Sequence, residues 1–260
     1  AEQLSEIFRA VAPLYKKRDK IYREVAGLLC EKGIAHPQME SLTAEERSFA
    51  EKYFIADVLP VLSPQIINAH HPFPHLVNKA LYIVLQMKIS DKTAYGIIPM
   101  PAMQDRLIFL PGSGMRYVLL EELIYQYAER VFDNCEINAK SIICVTRNAD
   151  INVDSLPDED EDFRHHMKKV LRKRSRLAPV RLEHCGPIHD KLEKFLRGKL
   201  ELKKEQVFQS SAPLEMSYVF PLLDKVPDRI RQAVTYVPFE PQVPHLGQVR
   251  QSLGWSDRMS

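Results

Sequence analysis

The sequence predicts an α+β fold: an N-terminal helical segment followed by a mixed, mainly antiparallel sheet packed with helices in two layers. Helical and strand-like patterns follow in the order helix, helix, four strands, helix, strand, helix, strand, helix. This order lacks the regular alternation of a parallel βαβ sheet. The 260 residues, 45% of them hydrophobic and 27% charged, suffice for one large folded domain or two modest ones.

The N-terminal region predicts helices. Apolar residues recur at helical spacing from Leu4 to Cys30, which indicates one long helix, or two helices joined near Pro13, ending at Gly33. A second helix is expected to begin at Thr43, because the segment TAEE places a hydroxyl at the N-cap and a glutamate three residues later. This helix should run to about Asp57.

Four strand-like segments follow, with the alternation and β-branched residues typical of a sheet. They are Leu81–Lys88, Ala94–Ile98, Arg106–Leu110 and Met115–Leu119. The PGSG segment between the last two predicts a hairpin turn, because glycine adopts the backbone conformations that such turns need. A helix from about Leu120 to Phe132 and a central strand over Ser141–Arg147 come next.

The rest of the chain continues with helices and one strand. We expect a helix from about Asp158 to Arg176, a strand over Val180–His184, and a further helix with Pro187 at its first position. Prolines accumulate from Pro213 onward, and the segment VPFEPQVP near Tyr236–Pro244 predicts an extended arm.

Charge is sorted within one segment, although the net charge of the chain is only +2. Asp154 and the acidic run 158–162 precede eight cations with no acid between them. These cations are Arg164, Lys168, Lys169, Arg172, Lys173, Arg174, Arg176 and Arg181. Cations in the last turn complement a helix dipole, which leaves the earlier ones unexplained. The surplus of cations indicates a surface that faces a polyanion. Two alternatives remain: the cations form a solvated surface, or they pair with the acidic run or with a partner chain.

Two groups of histidines could suggest a metal site, but their spacing argues against one. The candidates are His70, His71 and His75, and the helical pair His165 and His166. Adjacent helical residues point about 100° apart, prolines interrupt the first group, and no carboxylate stands at ligand spacing. Solvated or capping histidines therefore explain these positions better than a metal site does.

Catalytic motifs are also weak. No G-x-S-x-G nucleophile motif is present, and GSG at 112–114 lacks the lysine of a phosphate loop. The triplet HDK at 189–191 matches a phospholipase-D-like H-x-K motif only in part, because Leu196 stands where aspartate is expected. We therefore assign no catalytic residue.

Cysteine usage and hydropathy suggest a compartment. Four cysteines, at 30, 135, 144 and 185, form no C-x-x-C pair, which argues against a disulfide framework or a zinc site and favours a reducing cytoplasm. No apolar run approaches the roughly 18 residues of a membrane-spanning helix. Because the chain opens with Ala within a helical pattern, we expect a piece of a longer protein.

Four segments in order resemble the middle, or head, region of bacterial polyphosphate kinases of the phosphohistidine type. They are RYVLLEELI (116–124), VTRNADINVD (145–154), RKRSRLAPVRLEH (172–184) and YVPFEP (236–241). The resemblance implies that residues 1–33 end an N-terminal helical domain and that residues 34–235 form the head domain. Residues 236–260 would then be an arm toward C-terminal phosphotransferase domains that this sequence does not contain.

By the same resemblance, the parent enzyme reversibly transfers the γ-phosphate of ATP to polyphosphate through a phosphorylated histidine, with magnesium. Its reactive histidines lie in the C-terminal domains, so this portion is expected neither to catalyse alone nor to bind a cofactor. The head region implies a homo-oligomer, a dimer or higher, that flanks the ATP and polyphosphate site. The eight cations would face polyphosphate or a partner subunit.

The resemblance also implies a cytoplasmic protein, or one peripheral to the membrane, that does not bind nucleic acid. The alternative is a stand-alone module that binds a polyanion, either polyphosphate or nucleic acid, outside any enzyme. Salt-dependent binding without an enzyme context would favour this alternative.

Overall fold

The computed structural model describes most of the chain in two compact units, residues 1–224 and residues 225–260. The described residues are 2–68, 71–89, 92–102, 104–132, 135–148, 178–237 and 239. In the second unit they form one short helix and the residues around it.

The elements are numbered in chain order. The helices are α1 (Glu2–Glu31), α2 (Ala44–Tyr53), α3 (Leu120–Gln126), α4 (Asp190–Leu200), α5 (Val219–Lys225) and α6 (Asp228–Val234). The strands are β1 (Ile34–Ala35), β2 (Gln65–Ile67), β3 (Leu81–Ile89), β4 (Lys92–Pro99), β5 (Leu107–Phe109), β6 (Met115–Leu119), β7 (Glu136–Arg147), β8 (Pro179–Cys185) and β9 (Val207–Ser210). Within these residues, no helix is long and apolar enough to cross a membrane.

The N-terminal helix α1 is a single helix that continues through Pro13. The first of the two predicted alternatives is therefore confirmed. Gly33 follows its end with φ +84°, a left-handed conformation that glycine adopts without a steric penalty. The backbone N–H of Gly33 donates to the Cys30 carbonyl at 2.9 Å, which closes the last turn.

The predicted capping box of α2 is present. The backbone N–H of Glu46 donates to Thr43 Oγ1 at 3.2 Å, and the Thr43 N–H donates to Glu46 Oε2 at 2.9 Å. The helix then changes to a π-helix over Phe54–Val58 and to a 3₁₀ turn over Leu59–Val61. Helical backbone therefore continues past the expected end near Asp57. The next predicted helix is shorter than expected, because α3 ends at Gln126 and only a 3₁₀ turn follows it.

A six-stranded sheet forms the centre of the first unit, with strand order β2-β4-β3-β7-β8-β9. All neighbours pair antiparallel except β8 and β9, which are parallel. A smaller sheet has the order β1-β6-β5, and its β5–β6 hairpin confirms the predicted PGSG turn. The predicted α+β class with a mainly antiparallel sheet is confirmed. Strands β1, β2 and β9 were not predicted, because each is too short to show the alternation of apolar and polar residues that marks a strand.

Helices cover both faces of the large sheet. One face packs against α2, α3 and the small sheet, in a core that includes Phe54, Leu85 and Leu123. The other face packs against α4 through Leu192 and Leu196. Successive strand residues point to opposite faces, so a long strand such as β3 contributes to both cores. The arrangement has three layers, one more than the two that we expected.

One prediction about proline is corrected. Pro187 does not open α4; the helix begins at Asp190, and a ring nitrogen of the N-cap His189 accepts the Lys191 N–H at 3.3 Å. Helices α5 and α6 lie between Pro213 and the segment that was predicted to be an extended arm. Prolines in the first turn or just before a helix are compatible with it, because the first helical N–H groups have no intrahelical partner. The predicted helix 158–176 lies outside the described residues, as does most of the segment 236–244.

Candidate anion-binding site

The predicted cationic site is only partly placed by the structure. Arg181, on β8, is described, whereas the other seven cations fall between 149 and 177, outside the described residues. Arg181 lines a cavity of about 440 Å³. Helix α1, the turn before β3, strands β7 and β8, and residues 214–216 surround this cavity, which we call the α1–β8 pocket.

Strand pairing places the polar residues of β7 and β8 on the pocket side. Thr146 pairs with Arg181, and Cys144 pairs with Glu183. All four line the pocket. The alternate pair, Val145 and Leu182, belongs to the core beneath α4. Because strand side chains alternate between faces, α4 and the pocket lie on opposite faces of the sheet.

The described lining carries three cations and two carboxylates. They are Arg18, Lys79 and Arg181, and Glu183 and Glu215. Arg181 has fixed partners: its Nη2 donates to Thr146 Oγ1 at 3.0 Å and lies 3.3 Å from Glu183 Oε2. The Arg181 guanidinium is therefore held against the sheet as part of the pocket wall.

Both carboxylates have donors of their own. The buried Glu183 accepts a hydrogen bond from the Tyr15 hydroxyl at 2.7 Å, in addition to its ion pair with Arg181. Glu215 accepts from Ser217 and pairs with Arg106. Burial alone would raise the pKa of Glu215, but these donors outweigh it and the pKa is lowered. Burial and the contact with Glu183 raise the pKa of Tyr15, so its hydroxyl remains a donor at neutral pH.

Arg18 is less satisfied than Arg181. Its guanidinium carbon lies 4.7 Å from the centre of the Tyr15 ring. Its Nη1 is 3.8 Å from Glu183 Oε1, and its Nε is 3.6 Å from Asp19 Oδ1, both longer than hydrogen bonds. Among the described residues, its Nε and Nη2 are buried without a hydrogen-bond partner. Two donors of this cation are therefore buried without an acceptor in the described part of the chain.

Lys79 is exposed and has an unusual backbone. Its φ is +60°, which is disfavoured for a residue with a Cβ. Two contacts support the turn: the Lys79 N–H donates to the Val145 carbonyl at 2.8 Å, and Asn78 Oδ1 accepts the Arg147 N–H at 2.8 Å. Strained residues of this kind concentrate at binding sites, where the surrounding structure maintains them.

The lining of the pocket carries more cations than carboxylates, and it offers no activated nucleophile. Burial, and next the charge of Glu183, raise the pKa of the Cys144 thiol to about 11, so it is protonated at neutral pH. Across the described ranges, no group of three or more His, Cys, Asp or Glu side chains could hold a metal ion. Of the three cations in the lining, Lys79 is exposed, whereas Arg18 and Arg181 both lie close to Glu183.

The sequence indicated Arg181 but not the residues that surround it. Arg18 interrupts an otherwise apolar series on α1, and this interruption was the signal that could have singled it out. Lys79 carries no pattern signal, because its backbone conformation depends on contacts with β7. The HDK triplet lies at the start of α4, where His189 is the N-cap residue.

A family model described as the polyphosphate kinase middle domain matches residues 45–222. The chain belongs to the polyphosphate kinase family. The match covers most of the large sheet, including Lys79, Arg181 and Glu183 of the pocket. It does not include α1, and therefore does not include Arg18.

Similar proteins agree with this assignment. The chain is 33% identical over 204 residues to a polyphosphate kinase of Bacillus anthracis, covering 75% of this chain and 29% of that protein. It is 31% identical over 254 residues to one of Bacillus cereus, covering 94% and 36%. The crystal structure of a polyphosphate kinase from Porphyromonas gingivalis matches the fold with a TM-score of 0.67, at 18% identity, over 94% of this chain and 36% of that one. The chain therefore spans about a third of the length of these relatives.

Proposed function

We propose that this chain is the head domain of a kinase that reversibly transfers the γ-phosphate of ATP to polyphosphate, and that it does not carry the catalytic histidine. The family match over residues 45–222 supports this function most strongly. The pocket is consistent with the proposal, because it offers anion-binding groups without an activated nucleophile. In this proposal, the head domain flanks the ATP and polyphosphate site and contributes to dimerisation, while ATP and magnesium bind elsewhere in the parent enzyme.

The basic segment is proposed to face polyphosphate. Residues 149–177 leave the sheet at the ends of β7 and β8, where Asn148 N–H donates to the Ala178 carbonyl at 3.0 Å. Thr146 and Arg181 of the α1–β8 pocket lie next to these ends in sequence. The other seven cations belong to the segment that joins these two strand ends. A polymer of phosphates has reason to be guided by such a surface.

Helix α1 is proposed to close an N-terminal helical domain of the same enzyme. Its outward face carries a heptad series of apolar residues that are between 47% and 61% exposed: Leu4, Ile7, Leu14, Ile21, Val25 and Leu28. A continuous apolar stripe of this kind normally packs against other helices. Helices of the longer parent protein are the occupants that we propose, because the relatives are about three times the length of this chain.

Charge removal in the full-length parent kinase tests this function. We expect Lys168, Lys169, Arg172 and Lys173, all replaced by Gln, to weaken polyphosphate binding and to shorten the polyphosphate product. The matched control replaces Lys191, Lys194, Lys203 and Lys204, which are exposed in the described part of the chain, by Gln. Equal polyphosphate affinity and chain length in both variants would contradict a polyphosphate-facing role for the segment.

The stand-alone module makes a different prediction. It requires the 260-residue chain to bind polyphosphate or nucleic acid with a steep salt dependence while the full-length parent has no phosphotransfer activity. Phosphotransfer from ATP to polyphosphate by the full-length parent would exclude this alternative.

A further inference from the structure

We infer that His36 forms a proton-sensitive latch, which holds helix α1 against the smaller sheet while the imidazole ring is neutral. The ring lies between two helices. Its Nδ1 is 2.7 Å from the Tyr22 hydroxyl on α1, and its Nε2 is 2.8 Å from Glu122 Oε2 on α3. The inference rests on these contacts and does not depend on the proposed function.

The hydrogen bonds around the ring fix where its proton lies. Glu122 Oε2 also accepts the Leu119 N–H at 2.9 Å, so this oxygen is an acceptor and Nε2 of His36 donates to it. A neutral imidazole has one donor and one acceptor nitrogen, so Nδ1 accepts the Tyr22 hydroxyl. The Tyr218 hydroxyl lies 3.2 Å from that of Tyr22 and can donate to it in turn. The chain of hydroxyl donors therefore ends at a neutral ring.

Protonation of the ring opposes the docking of α1. A proton on Nδ1 turns this acceptor into a donor, so the Tyr22 hydroxyl can no longer donate to it. The His36 side chain is only 10% exposed with α1 in place, and burial disfavours the charged form of a histidine. Glu122 and Tyr117, whose ring stacks on the imidazole at 4.8 Å, do not belong to α1 and contact His36 whether or not the helix is docked. Docking of α1 therefore favours the neutral ring, and acid favours release of the helix.

The other groups that face His36 keep their charge near neutral pH. Burial raises the pKa of all three tyrosines around the ring, so their hydroxyls remain protonated. Tyr218 is covered by Arg106, whose guanidinium carbon lies 5.4 Å from the ring centre and which pairs with Glu121 and Glu215. Histidine is the side chain that ordinarily changes charge between about pH 5 and 8. A charge change in this cluster within that range is therefore assigned to His36.

Two further polar contacts of α1 titrate outside this range. The Tyr15 hydroxyl donates to Glu183 at 2.7 Å, and Asp19 accepts hydrogen bonds from Ser210 and Ser211. Burial raises the pKa of Tyr15, whereas hydrogen bonds outweigh burial and lower the pKa of Asp19 from its ordinary 3.8. These contacts continue to hold α1 in mild acid, so protonation of His36 loosens the helix without unfolding the chain.

Hydrogen–deuterium exchange of the 260-residue chain at about pH 7.5 and about pH 5.5, corrected for the intrinsic exchange rate, tests the latch. We expect α1 near Tyr22 to exchange faster at the lower pH, by at most about tenfold per pH unit, the limit for one linked proton. His36→Gln, which cannot be protonated, should abolish this response, and Tyr22→Phe, which lacks the hydroxyl donor, should reduce it. The matched control is His189→Asn, which removes another histidine, keeps a capping acceptor for α4 and should respond like the wild type.

A second measurement needs only the wild-type chain and remains informative if a variant fails to fold. Nitrogen-15 NMR of the histidine rings should place the proton of neutral His36 on Nε2, and a proton on Nδ1 would overturn the inference. Exchange of α1 that does not depend on pH, or that becomes slower in acid, would also overturn it. So would a His36→Gln chain that keeps the pH response of the wild type.

Discussion

The backbone strain at Lys79 gives a prediction about the stability of the fold. Substituting Lys79 by Gly and by Ala removes the same ammonium group, but only Gly is relieved of the penalty of φ +60°. A left-handed conformation costs a residue with a Cβ about 1–2 kcal/mol. Gly loses more chain entropy on folding, which offsets about 0.5–1 kcal/mol of that gain. We therefore expect Lys79→Gly to be more stable than Lys79→Ala by about 1 kcal/mol.

Urea unfolding of the two variants and the wild type, followed by circular dichroism, would measure this difference as a shift in midpoint at unchanged slope. A Lys79→Gly chain that is less stable than Lys79→Ala would refute the assignment of strain to this residue.

Three further predictions follow from the described contacts. Gly96→Ala should destabilise the chain by about 1–3 kcal/mol in thermal or urea unfolding, because the added Cβ would lie 2.5 Å from Met87 Cε and 2.8 Å from Phe132 Cζ; no loss would mean that this core can rearrange freely. Burial would raise the pKa of Asp19, but hydrogen bonds from Ser211 and Ser210 outweigh burial and lower it. The ionised Asp19 side chain therefore stabilises the fold above its ordinary pKa of 3.8, and this stabilisation is lost as the pH falls below that value. Asp19→Asn should flatten the acid side of the stability profile, and an unchanged profile would contradict the assignment. Incubation of the 260-residue chain with ATP and magnesium should add no phosphoryl mass by intact-mass spectrometry; one added phosphoryl group would show a reactive residue in this chain.

Features of individual helices, strands and turns were predictable where residues close together in the sequence determine the structure. The Thr43 capping box, the end of α1 at Gly33 and the hairpin at PGSG depend on residues within a few positions of each other. The four strands from β3 to β6 were found because their alternation extends far enough to be counted. The helix at Pro187 was misplaced by three residues, since the capping interaction of His189 outweighed the preference of proline for a first helical position.

Long-range pairings explain what the sequence could not show. Short strands such as β9 exist because a neighbour is present, here the parallel edge of β8. The α1–β8 pocket joins residues near 15, 79, 145, 182 and 215, which no local pattern connects. Arg181 was predicted as part of a charge cluster, whereas its partners Thr146 and Glu183 follow from strand register.

The sequence by itself determined the α+β class and the order of the main helices and strands. It also showed the resemblance to polyphosphate kinases and the local excess of cations. Each of these features depends on residues that are close together in the sequence. The tertiary structure alone decided that the large sheet is covered on both faces, and that Arg18 and Lys79 meet Arg181 around one cavity. The physical reason is that burial and electrostatic contact depend on distance in space, and chain folding sets that distance independently of sequence separation.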